Sequence, residues 1–197
     1  MIRSKALQVN IADYHVDVKI DRKYLVLQEV MSSYFGLQEG LTTFLKELSH
    51  PYKNWHFIVK EARIYSLDYF HLIKSHKEGP GAAQLYIDIY LRAIESTRET
   101  DVCVDAVDNL MLFLLKIVKD SGEAFDRFAP VLDSAFQSIR RYDGSIFMLF
   151  LKSYYQLNRL GEAALAHAAD GLDRLHYLNL LLIRFYQATY TYWMREE

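Results

Sequence analysis

Asp68 and His71 stand three residues apart in a stretch of helical periodicity, a spacing that puts a carboxylate and an imidazole on one face. Helix-bundle metal sites use that arrangement to aim two ligands at one ion, and Glu39, Glu61, Glu95 and Asp108 are the carboxylates other helices would add. The motif does not recur, and a hydrogen bond on a helix surface explains the pair more simply. No metal ligand is assigned, and Asp68 with His71 stands as the alternative to be tested.

The segment His50-Pro-Tyr52-Lys-Asn-Trp55-His56 gathers polar and aromatic groups around a tight connection, the kind of place where binding residues sit on a rigid scaffold. His50, Tyr52, Trp55 and His56 are therefore the candidate contact surface for a small molecule or a protein. The plainer reading is a capped turn with Trp55 plugging the core. Asp101, Asp105 and Asp108 share a face at the start of a helix, where their charge complements the helix dipole; a Mg²⁺ or partner role is the sharper reading. Arg140-Arg141, and Arg174 with His176, are candidates for holding an anion, although scattered basic residues usually form solvated faces.

Cys103 lies in an apolar stretch and reads as a small core residue rather than a nucleophile. There is no Gly-x-Ser-x-Gly elbow, no phosphate-cradling glycine loop, no Cys-x-x-Cys pair and no zincin His-Glu motif. Catalysis completed within these residues is disfavoured, and no catalytic residue is assigned.

The chain that must position these groups has 197 residues, 51% of them apolar and 24% charged. That length suits one domain with a large core, burying roughly 70% of the extended-chain surface. With 23 basic against 25 acidic residues and no basic block, nucleic acid is a poor partner. A single cysteine fits a reducing cytoplasm. The longest strongly apolar run, Leu110 to Leu115, is far shorter than the roughly 20 residues of a membrane-spanning helix. Fifteen Tyr and eleven Phe predict aromatic helix interfaces with ring edges reaching the surface.

Residues 1–20 read as an extended arm, β-branched and alternating with charge from Val16 to Ile20. Residues 21–197 read as one helical domain. Apolar positions from Leu27 to Leu48 recur at three and four, predicting one long helix capped by Asp21 and ended by Ser49-His50-Pro51. Gly36 and Gly40 on one face of it predict a close neighbour or a bend. Asn54 caps a second helix that Gly79-Pro80-Gly81 breaks; a third spans Ala82 to Ser96, and a fourth, central one follows Thr100-Asp101 as far as Lys119. A fifth is bracketed by Ser121-Gly122 and Asp143-Gly144, with Pro130 starting a new segment or a kink; a sixth spans Ile146 to Leu160. Glu162 to Ala168 forms a short turn of helix, and a last helix runs from Leu172 past Tyr192. The prediction is an all-α, irregular bundle of seven to eight mostly antiparallel helices. Tyr154 and Ala163 match half of a tetratricopeptide helix pair, but no second copy follows about 34 residues on, so helix-pair stacking fits better than a repeat array.

The runs Ile11-Ala-Asp-Tyr-His-Val-Asp-Val18, Glu29-Val-Met-Ser-Ser-Tyr-Phe-Gly-Leu37 and Leu45-Lys-Glu-Leu-Ser-His-Pro-Tyr-Lys-Asn-Trp55 resemble the helical N-terminal region of certain large bacterial proteins. Ala106-Val-Asp-Asn-Leu110 and Leu151-Lys-Ser-Tyr-Tyr-Gln-Leu-Asn-Arg159 extend the likeness over nearly the whole chain. Those proteins are phosphoenolpyruvate synthase-like, or pyruvate phosphate dikinase-like. The resemblance implies a parent that makes phosphoenolpyruvate from pyruvate and ATP through a phosphohistidine, with ATP and Mg²⁺ bound by the parent's other domains. It implies no cofactor and no catalytic residue in this chain, and partners that are other domains of the same polypeptide, a separate protein or a second copy. The sequence is still helical and aromatic from Tyr186 to Trp193, which predicts a longer polypeptide. A free-standing helical adaptor is the competing expectation.

Overall fold

A computed structural model describes residues 18–32, 38–139, 141–142, 144–150 and 152–153. They are helical throughout apart from short connections, so the chain is an all-α bundle. The arm before residue 18, Gly36, the tetratricopeptide-like Tyr154 and Ala163, the helices expected beyond Leu160, and Arg140, Arg174 and His176 lie outside the described residues. Val18 to Ile20 are neither helix nor strand, and Ile20 packs on the core.

The helix expected from Asp21 to Leu48 is two helices. The Asp21 side chain accepts a hydrogen bond from Lys23 N and caps a 3-10 turn, Arg22–Tyr24, which runs into α1 (Leu25–Met31). α2 spans Gln38–Ser49 and packs back against α1. A straight rod cannot make that contact, because each helical residue advances about 1.5 Å along the axis. The apolar spacing continues on both sides of the break, so periodicity does not register it. Gly40 is a site of close approach: a Cβ there would stand 3.0 Å from Tyr65 Oη.

The second expected helix is also divided. Asn54 accepts from Phe57 N and starts α3 (Trp55–Arg63), which passes into a π turn, Ile64–Asp68, and then α4 (Phe70–Ser75). A π turn admits one extra residue and rotates the following face; here it buries Ser66, whose Oγ lies 2.9 Å from Tyr90 Oη. The chain leaves helical geometry at His76 (φ −82°, ψ 145°), not at Gly79-Pro80-Gly81. Those three residues instead open α5 (Gly79–Ser96), with Pro80 in the first turn where its missing N–H forfeits no helical bond. Arg127 from a later helix donates to the carbonyls of His76 and Lys77, fastening this corner.

α6 (Thr100–Asp120) agrees with the expectation closely. α7 (Phe125–Ile139) runs uninterrupted through Pro130, which is exposed on its outer side, so the proline starts no new segment. The next helix is already formed at 144–150, two residues earlier than predicted.

α5 is the hub, packing against α1, α3, α4, α6 and α7, with its largest interface on α6. The central position expected for α6 therefore belongs jointly to α5. Small residues let the backbones close in: Ala82, Ala83 and Ala93 are fully buried. Phe113 of α6 meets Phe70 of α4 and Tyr86 of α5 edge-on, each with centroids 6.1 Å apart, and Phe70 meets Phe128 of α7 at the same separation. Tyr86 and Tyr90 are wholly inside, deeper than the interfacial position expected of tyrosine.

Candidate functional site

The turn between α2 and α3 is tied at every residue that matters. Pro51 steers its neighbour out of the helix, and Glu47 Oε1 on the last turn of α2 accepts from Asn54 N at 2.8 Å. Asn54 in turn caps α3 through Phe57 N at 3.0 Å. Lys53 Nζ donates to the His50 carbonyl at 2.8 Å. Its desolvation, with Lys23 and Arg92 nearby, holds the ammonium below the usual lysine range. His50 Nδ1 lies 2.7 Å from the Tyr52 carbonyl oxygen and 3.1 Å from Tyr52 N. Protonated at Nδ1, the ring donates to the carbonyl; deprotonated there, it accepts from the amide, so both tautomers fix Tyr52.

Tyr52 itself is 85% exposed, the barest large apolar side chain among the described residues. Trp55 is half-buried and packs on the core, as the capped-turn reading expected. His56 is exposed on the first turn of α3 and faces a different direction, into a cleft. The structure therefore splits the four candidates: His50 and Tyr52 form the turn, Trp55 anchors it, and His56 belongs to the neighbouring feature.

That cleft has a volume of about 170 Å³ and lies between α3 and α6. His56, Lys60 and Arg63, at i, i+4 and i+7, line it from α3 with Val59 between them; Val102, Asp105 and Asn109 line it from α6. Val59 and Val102 are buried and make an apolar floor, while the charged groups are exposed at the rim. Asn109 is only 8% exposed and, among the described residues, its carboxamide has no hydrogen-bond partner. Neither Lys60, Arg63 nor Asp105 is in an ion pair among the described residues. Lys60, Arg63 and Asn109 were missed in the sequence. The first two were readable from their helical spacing to His56, and Asn109 as an amide inside the apolar stripe of α6.

Asp68 ends the π turn and His71 lies on α4, both exposed, with Tyr69 in a non-helical conformation between them (φ −104°, ψ 22°). The unbroken helical turn that would align the two is thus interrupted, and among the described residues no three His, Cys, Asp or Glu side chains gather as a metal site would require. Asp101 falls in the first turn of α6, whereas Asp105 points to the cleft. Arg141 is exposed in the turn after α7. Cys103 is half-buried against the core, and burial pushes its thiol up. No described helix is long and apolar enough to cross a membrane. Compared with family models, curated proteins and solved structures, the chain matches none.

Proposed function

We propose that the chain is a non-catalytic helical interaction module of a larger phosphoenolpyruvate synthase-like phosphotransferase, and that the α2–α3 turn docks it onto another domain of that polypeptide or onto a protein partner. The observation that carries the docking reading is Tyr52: a large ring 85% exposed on a backbone that His50, Lys53 and Glu47 already hold in place. Tyrosine is a favoured interface anchor, and a turn whose backbone is already ordered does not have to be ordered on binding. The parent's identity rests on the resemblance of Glu29 to Leu37, Leu45 to Trp55 and the other matching runs.

The test mixes the purified chain with separately expressed catalytic domains of a phosphoenolpyruvate synthase-like enzyme and follows association by titration calorimetry. Saturable binding is expected, weakened at least tenfold by Tyr52→Ala at an unchanged melting temperature, since Tyr52 contributes little to the core. The chain alone is expected to form no phosphoenolpyruvate from pyruvate, ATP and Mg²⁺. Turnover by the chain alone, or association indifferent to Tyr52→Ala, refutes the reading.

A further inference from the structure

The geometry points to the α3/α6 cleft as a binding site for a small α-amino acid in its zwitterionic form. Three features converge. The α3 wall presents the unpaired cations Lys60 and Arg63 beside His56, and Arg63 offers the planar fork that matches a carboxylate. The α6 wall presents an unpaired carboxylate, Asp105, and between the charged rims lies Asn109, a largely buried side chain whose carboxamide has no partner among the described residues.

A bare anion uses only the basic wall and is opposed by Asp105; a bare cation has the reverse difficulty. A ligand carrying both charges satisfies both walls, with its carboxylate toward Lys60 and Arg63 and its ammonium toward Asp105. The Asn109 amide serves either end, because it both donates and accepts.

Size narrows the class. The volume of about 170 Å³ falls below the roughly 300–1,000 Å³ of pockets for drug-sized ligands. That suits a molecule of the dimensions of alanine or serine, with the floor of Val59 and Val102 accepting a short apolar side chain. The site is separate from the Tyr52 turn and stands whether or not that turn docks a partner.

The test follows the Asn109 side-chain amide resonance, assigned by its loss in Asn109→Ala, while L-alanine is titrated into the full chain. Acetate, methylammonium and inorganic phosphate are titrated in parallel. A saturable shift with L-alanine is expected, with each single-charge probe at least tenfold weaker. Arg63→Ala and Asp105→Ala, both at exposed positions that leave the fold intact, should each weaken L-alanine at least tenfold. Acetate or phosphate binding as tightly as L-alanine overturns the proposal in favour of a plain anion site. An absence of any saturable shift, or L-alanine binding that ignores both substitutions, overturns it altogether.

Discussion

Two tyrosines one turn apart on α5 differ in a single hydrogen bond, and that difference sets opposite expectations. Tyr86 is fully enclosed and its hydroxyl has no partner among the described residues, whereas the Tyr90 hydroxyl pairs with Ser66. Tyr86→Phe should therefore raise stability by about 1 kcal/mol, because it removes a desolvated orphan group, and Tyr90→Phe should lower it by about 1 kcal/mol. Midpoints of urea unfolding measure both, and a destabilising Tyr86→Phe contradicts the assignment. The same enclosure makes the fold sensitive to alkali. Burial pushes Tyr65 up to about 12, with Glu61 adding to the rise, and pushes Tyr86 and Tyr90 higher still. Above the usual value near 10 the unfolded chain releases tyrosine protons that the native state retains, so stability falls as pH rises. The loss is about 1.4 kcal/mol per pH unit for each such group between about pH 10 and 12. The full contribution is present below pH 10. A urea midpoint that stays flat from pH 10 to 12 would show these hydroxyls to be ionisable in place.

The start of α5 gives the sharpest contrast among the elements. A Cβ on Gly79 would lie 1.8 Å from the Ile73 carbonyl oxygen, inside the corner where α4 turns into α5, while a Cβ on Gly81 would meet only Val26 at 4.0 Å. Gly79→Ala should cost about 3 kcal/mol through forced backbone movement, and Gly81→Ala, exposed in the same helix, should gain about 0.5–1 kcal/mol from helix propensity. Thermal unfolding of the two variants separates them, and equal melting temperatures contradict the packing described here. This corner also shows what sequence reading can and cannot see. Gly-Pro-Gly looks like a breaker because its conformational preferences are compatible with both a stop and a start; the close approach of the Ile73 carbonyl, which leaves no room for a Cβ at Gly79, cannot be read from residue types. The caps were legible because Asp21 and Asn54 act on amides two or three residues away. The break between α1 and α2 and the π turn were not, since neither interrupts the three-and-four spacing of apolar residues.

Across the whole molecule, aromatic side chains from α4, α5, α6 and α7 form one chain of ring contacts through Phe70 and Phe113, and α5 touches most of the other helices. Such a body holds its surface features still, and two of them stand out: the turn bearing Tyr52 and the cleft floored by Val59 and Val102. The turn was visible in the sequence as a knot of polar and aromatic residues between two helices. Most of the cleft was not, because Asn109 and Asp105 lie some fifty residues beyond His56 and Lys60, and only the packing of α3 on α6 unites them. If the molecule is a docking module, its affinity is concentrated in the exposed ring rather than spread over its surface. Calorimetric titration of the intact chain and of Tyr52→Ala into phosphoenolpyruvate synthase-like catalytic domains probes that claim directly. The account predicts saturable heat for the intact chain and a dissociation constant at least tenfold higher for the variant; equal constants, or no association by either, would contradict it.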